Sequence, residues 1–345
     1  MAASLMRAWS VVQPRSVDDT VSPLQAVERP IPSPGPGEIL VRVSTCGVCR
    51  TDLHVVEGDL PVHRPGVTPG HEVVGRVVSA GAGGGAARYA VGDRVGIPWL
   101  RHTDGVCRWC RSDRENLCVA PAFTGWDADG GYAEYAVVDA DYAYAIPDVF
   151  DDEKAAPLLC AGIIGFRALR RSGLVPGSGG RLGIYGFGGS AHLATQVALH
   201  EGATVHVMTR SKRQQQLALA IGAASVQGAY APPPERLDGA IVFAPVGDMV
   251  LPALAALDRG GTVAVAGIHL SDIPALNYQR HLFEERTLCS VTANTRADGE
   301  EFLRIAASIP IQVTTTPFGL SEAPAALRAL KHDQVEGAAV LHADR

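Results

Sequence analysis

The chain has 345 residues, a mass of 36.2 kDa and a formal net charge of −6, with 47% hydrophobic and 19% charged residues. This composition is typical of a soluble globular protein with a large core, and the length predicts about two domains. The acidic balance argues against nucleic acid as a partner, because a polyanion binds to a basic surface.

The sequence lacks the usual signals for export or membrane insertion. Residues 1–7 show neither the apolar core nor the cleavage pattern of a signal peptide, and no stretch of about 18 apolar residues could span a bilayer. The seven cysteines are mostly closely spaced, which favours metal binding in a reducing compartment over disulfides. We therefore expect a cytoplasmic protein with no membrane partner.

Residues 1 to about 157 predict a β-rich domain. Segment 40–44 alternates like a half-buried strand, and 72–78 and 132–138 are further predicted strands. Many short strands separated by Gly and Pro are typical of a barrel-like antiparallel domain.

The pattern changes near Asp151 to alternating helices and strands. After a predicted helix over 153–172, we expect strands at 181–185, 204–208, 239–243 and 261–267, and helices at 190–201, 212–221 and 250–257. Such alternation predicts an α/β domain with a parallel, doubly wound sheet.

Two short motifs and one distant cysteine carry metal-binding chemistry. Residues 47–54 read Gly-Val-Cys-Arg-Thr-Asp-Leu-His, and Gly-His-Glu follows at 70–72. Cys49, His71 and Cys160 can supply two thiolates and an imidazole, the ligands of a catalytic zinc that keeps one position open. Alone, a Gly-His-Glu triplet is usually a surface turn, and a cysteine in an apolar helix is usually core. For Cys49 and His71 the hypothesis therefore rests on the joint occurrence of the motifs, and only the family resemblance given below makes Cys160 a ligand.

A glycine-rich motif follows the predicted strand at 181–185. Residues 186–191 read Gly-Phe-Gly-Gly-Ser-Ala, and the turn formed by Gly186, Gly188, Gly189 and Ser190 would bring the backbone close to a pyrophosphate at a helix N-terminus. The next strand ends in Thr209 and Arg210 without the carboxylate that usually binds an NAD ribose. These residues favour NADP(H) over NAD(H), although the cations that follow could simply form a solvated helix start.

Together these motifs resemble those of the zinc-dependent medium-chain alcohol dehydrogenases, and the resemblance covers essentially the whole chain. It implies a GroES-like β-rich catalytic domain, formed by 1–157 and 290–345, and a Rossmann coenzyme domain at 158–289. It also implies hydride transfer between a primary or simple secondary alcohol and NADP(H) or NAD(H), in a homodimer or homotetramer.

The resemblance assigns roles to the residues around the first motif. The zinc ligand is implied to be Cys49, directly after Gly-Val, and Cys46 is interpreted as packing. The Thr51 hydroxyl would bond the substrate oxygen, and His54 would carry the released proton away, as a group that titrates near neutral pH can.

Three neighbouring residues have supporting roles in the resembled family. Asp52 would orient the zinc ligand His71, Glu72 would approach the metal during ligand exchange, and Arg50 would contact the cofactor pyrophosphate.

A second metal site is implied by the family's structural zinc lobe, whose cysteines are spaced C-x₂-C-x₂-C-x₇-C. Cys107, Cys110 and Cys118 match the last three positions, and Asp104 takes the first. A carboxylate can bind zinc but is a harder donor than a thiolate. We expect a retained zinc with Asp104 as fourth ligand; the alternative is a metal-free lobe with reduced thiols.

Two departures from the family pattern bear on substrate and cofactor. Leu60 replaces a frequent aromatic residue of the alcohol pocket, and with Trp99 as a second wall it leaves room for medium aliphatic or aromatic alcohols. Ala338 replaces a frequent pyrophosphate-binding arginine. A polyol or cinnamyl-type dehydrogenase is the enzymatic alternative. A non-catalytic zinc- or dinucleotide-binding protein is disfavoured, because binding alone needs no Thr51 and His54.

Overall fold

A computed structural model describes residues 4–267, 270–309 and 311–344. The chain divides into two units. The first comprises Met1–Cys160, Thr295–Leu303 and Val313–Arg345, and the second comprises Ala161–Asn294 and Arg304–Gln312. The domain limits after residues 157 and 289 stay a prediction. In the division into units, residues 158–160 group with the first unit, and residues 290–294 and 304–312 group with the second.

The N-terminal part of the first unit is mainly β-structure. Its elements are β1 Leu5–Val11, β2 Leu24–Pro30, β3 Glu38–Val48, α1 Arg50–Glu57, β4 Glu72–Ala80, β5 Arg94–Ile97, β6 Leu100–His102, β7 Ala122–Phe123, β8 Tyr135–Asp139, β9 Tyr144–Ala145 and α2 Asp152–Ala155. The sequence indicates these strands because apolar residues alternate along them: in β1 and β8 every second residue is buried.

The single helix predicted over 153–172 is wrong. Helix α2 passes into a 3₁₀ turn at Ala156–Leu159, Cys160 is non-helical at φ −128° and ψ −70°, and α3 spans Ala161–Arg171. Pro157 has no backbone N–H to donate within a helix, so this stretch cannot continue as a regular α-helix. Cys160 therefore lies between the 3₁₀ turn and α3, outside both.

The second unit contains a parallel sheet with a helix after most strands. Its elements are β10 Arg181–Tyr185, α4 Gly189–His200, β11 Thr204–Met208, α5 Lys212–Ile221, β12 Ser225–Gln227, β13 Leu237–Val242, α6 Val250–Ala256, β14 Leu257–Val265, α7 Tyr278–His281 and β15 Thr287–Ser290. The strand order is β12-β11-β10-β13-β14-β15. The order reverses between β10 and β13, and that switch point is where doubly wound sheets bind dinucleotides.

The C-terminal segment completes the sheet of the first unit. After α8 Arg296–Ser308 come β16 Thr315–Gly319, α9 Ala323–Lys331 and β17 Ala338–His342. Strand β17 pairs with β3, which gives the order β16-β17-β3-β4-β5-β9, with β8 also paired to β3. The core here includes Ile39, Val41 and Val73, all without exposed surface.

Within the described ranges, no helix is both long enough and apolar enough to cross a lipid bilayer.

Candidate active site

Four potential metal ligands converge in the first unit. Cys49 is the N-cap of α1, directly after β3, and His71 and Glu72 stand at the start of β4. One donor atom from each of Cys49, His71, Glu72 and Cys160 lies within 4.8 Å of the others. The antiparallel register pairs Gly47 with Glu72, and any side chain at position 47 would overlap the Glu72 carboxylate. Position 47, two residues before the ligand Cys49, therefore requires a glycine.

His71 has a ring nitrogen that suits a metal. The side chain is completely buried, and its Nδ1 lies 2.7 Å from Asp52 Oδ1. Its Nε2 has no hydrogen-bond partner among the described residues, while Cys49 and Cys160 hold their sulfurs 3.9 Å apart beside it. A buried nitrogen without a partner costs about 1–3 kcal/mol. These donors fit a tetrahedral zinc with imidazole and thiolate ligands.

The ionisation of the three ligands is strongly perturbed. The neighbouring Cys160 lowers the pKa of the Cys49 thiol well below its usual value, and Cys49 in turn raises the pKa of Cys160. Burial alone would lower the pKa of His71, but the Asp52 carboxylate outweighs burial and holds that pKa well above its usual value. Zinc binds thiolates and neutral imidazole, so metal binding at this site would release the protons that these groups carry.

Asp52 connects the site to the surrounding backbone. Its carboxylate is only 1% exposed and accepts hydrogen bonds from the N–H groups of Cys49 at 2.9 Å and Gly70 at 3.1 Å, besides its contact with His71. The fully buried Tyr132 donates its hydroxyl to Asp52 Oδ2 at 3.4 Å. Sequence reasoning missed Tyr132, since no motif links it to a residue 80 positions earlier.

Thr51 and His54 lie three positions apart on α1 and so share one helix face. The Cys49 thiol donates to the Thr51 hydroxyl at 3.8 Å, and Thr51 is buried. His54 Nδ1 lies 2.8 Å from Asp59 Oδ2. Sequence reasoning also missed Asp59, although a carboxylate directly after the glycine that ends α1 is a signal that could have been used.

One aromatic side chain, Trp99, adjoins the ligand His71, and two others stack on Trp99. Trp99 meets it edge-on, with ring centroids 4.9 Å apart. Phe123 and Trp126 lie in planes nearly parallel to Trp99, at centroid distances of 4.8 and 5.8 Å. The predicted pocket residue Leu60 packs against the core of the first unit.

The predicted second metal site also has its donors together. Atoms of Asp104, Cys107, Cys110 and Cys118 lie within 4.8 Å of one another. The backbone N–H of Cys107 and that of Val106 donate to Asp104 Oδ1, which lowers the pKa of this carboxyl well below its usual value. Desolvation raises the pKa of the Cys110 thiol to about 11. An ionised carboxylate beside three sulfurs matches zinc chemistry.

Cys46 does not belong to either of these groups among the described residues. It is 1% exposed, and its thiol donates to the Gly47 carbonyl at 3.4 Å. Burial raises the pKa of this thiol well above its usual value, as expected for a packing residue.

The glycine-rich turn of the second unit has the geometry of a phosphate cradle. Gly186 follows β10 with φ 84°, and a side chain there would meet the backbone of Ala244. Gly188 is the N-cap of α4, and Gly189 and Ser190 form its first turn. The backbone N–H groups of this first turn are available to an anion, which the helix dipole also favours.

The predicted ribose-binding residues lie at the end of β11. Thr209 is buried and donates its hydroxyl to Gln214 Oε1 at 2.7 Å. Arg210, one residue later, is exposed.

Arg50, the predicted pyrophosphate contact, is at the first position of α1. Its guanidinium lies 2.6 Å from Asp333 Oδ1, and both side chains are exposed. A surface ion pair contributes only about 0–1 kcal/mol, so this contact holds the Arg50 side chain weakly.

Comparison with known proteins relates this chain to the alcohol dehydrogenases. Residues 35–148 match the alcohol dehydrogenase GroES-like domain. The chain is 58% identical over 339 residues to the Mycobacterium tuberculosis protein named "Probable alcohol dehydrogenase AdhA", with 97% of each sequence covered.

Solved structures show the same fold over nearly the whole chain. A cobalt- and zinc-bound thermostable alcohol dehydrogenase from Pyrobaculum aerophilum has a TM-score of 0.86 and 26% identity, covering 99% of this chain and 100% of that one. A cinnamyl alcohol dehydrogenase from Sorghum bicolor has a TM-score of 0.84 and 26% identity, covering 98% of each chain. The predicted fold class is confirmed, and the chain belongs to the zinc-dependent medium-chain alcohol dehydrogenase family.

Proposed function

We propose that this alcohol dehydrogenase transfers hydride between a primary or simple secondary alcohol and NADP(H) or NAD(H), with a zinc ion held by Cys49, His71 and Cys160. The observation that carries the proposal is the buried Nε2 atom of His71, which has no hydrogen-bond partner within the part of the chain that the structure describes and stands beside two thiol sulfurs. Bound there, zinc would act as a Lewis acid on the substrate oxygen.

The side chains of α1 supply the path for the proton. During alcohol oxidation the Thr51 hydroxyl bonds the substrate oxygen and passes its proton toward His54, which releases it to water. A histidine suits this role because it gains and loses a proton near neutral pH. Thr51 is buried and His54 is partly exposed, so the two residues lead from the interior toward solvent.

Asp52 and Glu72 support the ligands. The 2.7 Å contact with Asp52 keeps the proton of His71 on Nδ1 and leaves the Nε2 lone pair for the metal. The Glu72 carboxylate is 3% exposed and belongs to the same group of donors. It can replace a departing ligand during substrate exchange.

For the cofactor, we propose that the turn formed by Gly186, Gly188, Gly189 and Ser190 binds the pyrophosphate. The exposed Arg210 beside Thr209 favours a 2′-phosphate, so NADP(H) is preferred over NAD(H). A second, structural zinc is held by Asp104, Cys107, Cys110 and Cys118, whose donors lie as close together as those of the first site.

The aromatic cluster of Trp99, Phe123 and Trp126 favours a second candidate within this class, a dehydrogenase for aromatic or cinnamyl-type alcohols. Trp99 adjoins the zinc ligand His71, and Phe123 and Trp126 stack on Trp99. A planar substrate gains about 0.5–1.5 kcal/mol from stacking. We expect Trp99→Leu to lower kcat/KM for benzyl and cinnamyl alcohol more than for 1-butanol. An equal effect on all three substrates would remove this candidate.

The test of the main proposal is Cys49→Ala, with Cys46→Ala as a matched control three positions earlier. Cys49→Ala should abolish turnover and lower the zinc content by one ion per chain, while circular dichroism shows a folded protein. Cys46→Ala should keep its zinc and most of its turnover. Near-normal rates in Cys49→Ala would show that the ligand assignment is wrong.

We also propose, from the family resemblance, a homodimer or homotetramer in the cytoplasm. Size-exclusion chromatography with light scattering measures the oligomeric state directly. A monomeric active enzyme would contradict this part of the proposal.

A further inference from the structure

A histidine–carboxylate pair is built into the end of α1. His54 Nδ1 lies 2.8 Å from Asp59 Oδ2, and the side chains are 18% and 47% exposed. The helix ends at Gly58, whose φ is 86°, and both Gly58 N–H and Leu60 N–H donate to the His54 carbonyl at 3.1 and 3.3 Å. This tight turn brings the chain back over the helix end and places Asp59 against the ring.

The position of Asp59 decides which nitrogen of His54 carries the proton. A neutral imidazole has one N–H, and without a directing partner it populates both tautomers. A carboxylate accepts a hydrogen bond but cannot donate one, so it selects the tautomer with the proton on Nδ1. In that tautomer Nε2 is the nitrogen that carries the lone pair and can accept a proton.

We propose that Asp59 is a positioning residue of the proton path and holds His54 in the tautomer whose Nε2 accepts the proton. This inference rests on the proposed function of His54. In alcohol oxidation the hydride leaves the substrate carbon for the nicotinamide, and the hydroxyl proton passes through Thr51 to His54 Nε2. The adjacent Asp59 carboxylate stabilises the imidazolium, and Nε2 then releases its proton to water.

The chain offers a matched pair that is separate from the proposed path. His63 Nδ1 lies 2.7 Å from Asp127 Oδ1, and His63 stacks on Trp126 with ring centroids 3.9 Å apart. His63 follows Asp59 in the same connection between α1 and β4. Asp127→Ala removes the partner of His63 without touching His54. Because Asp127 Oδ2 also accepts from the Phe123 N–H at 2.8 Å, this variant shows what loosening of the neighbouring chain does to the rate.

The first experiment reads the tautomer directly. In the ¹⁵N-histidine NMR spectrum of the whole protein at about pH 8.5, where histidines are usually neutral, His54→Gln identifies the signals of His54. The Nδ1–H form should dominate in the wild type and in Asp127→Ala, and the Nε2–H form should grow in Asp59→Ala. An unchanged His54 signal in Asp59→Ala would overturn the inference.

The second experiment reads the proton transfer. Asp59→Ala should lower kcat roughly tenfold, within the range of acid–base effects, with little change in alcohol KM and an increased solvent deuterium isotope effect. Asp59→Glu should restore most of the rate. An equal loss in Asp127→Ala, or an altered tautomer with an unchanged kcat, would overturn the inference. A wild type inactive with every alcohol would instead refute the proposed function, and the NMR result separates that failure from this one.

Discussion

Replacing Asp52 by asparagine tests the support of the zinc site most directly. The carboxylate is 1% exposed and is bonded to His71 Nδ1 and to the N–H groups of Cys49 and Gly70. An asparagine has a single acceptor oxygen, so at least one buried donor loses its partner and the remaining bonds lose their charge. Hydrogen bonds to charged groups contribute about 1.5–3 kcal/mol each.

The expected effects can be given as magnitudes. Loss of one such bond and weakening of a second should reduce the free energy of unfolding of the metal-free protein by about 3–4 kcal/mol. Mutations of residues that orient a metal-binding histidine typically cost 10–100-fold in metal affinity, or about 1.4–2.8 kcal/mol. The two losses have one origin, because the same carboxylate orders the backbone and the imidazole.

The assay combines urea unfolding of the metal-free protein with zinc titration against a chromophoric chelator. Asp127→Asn is the control, since this aspartate also pairs with a histidine but is not among the candidate metal ligands. It should bind zinc like the wild type. If Asp52→Asn unfolds at the wild-type urea concentration and binds zinc within twofold of wild type, the reasoning about Asp52 is refuted.

Three other perturbations have expected outcomes. Asp104→Ala should reduce the zinc content from two ions per chain to one while alcohol turnover persists, and two retained ions by mass spectrometry would contradict its role as a ligand. Arg210→Asp should raise the KM for NADP(H) and shift preference toward NAD(H); steady-state kinetics showing no shift would remove the case for phosphate recognition. Arg181 lowers the pKa of Asp238 through an ion pair of 2.7 Å. That pair stabilises the fold above the usual aspartate pKa of about 4 and loses its effect as pH falls through the lowered value. Arg181→Gln should therefore reduce the urea midpoint at pH 7 more than at pH 3, and equal reductions at both would count against this linkage.

Much of the second unit could be predicted because its signals are local. The strand at 181–185, the strand at 204–208 and the helix at 212–221 were predicted with the bounds that β10, β11 and α5 have. Buried parallel strands are apolar along their length, and Gly186 and Gly222 end their elements with positive φ values that favour glycine. These conformational preferences act within a few residues and can therefore be predicted from the sequence.

In the first unit, some features depend on contacts between residues that are far apart in the sequence, and local sequence patterns did not predict them. The helix over 153–172 looked continuous by its apolar pattern, yet it breaks at Cys160, whose sulfur lies 3.9 Å from that of Cys49. Periodicity reports which residues are apolar, and it carries no information about a distant partner. Likewise, only the resemblance predicted that the C-terminal chain returns, since the pairing of β17 with β3 joins residues nearly 300 positions apart.

By itself, the sequence determined the donor types, the glycine turn and the family, because these depend on residue identity and short spacing. The tertiary structure decided that Tyr132 reaches Asp52, that Cys160 joins Cys49 and His71, and that His71 Nε2 has no hydrogen-bond partner among the residues described. These contacts depend on sheet register and chain crossing, which bring together residues that have no local relation to each other.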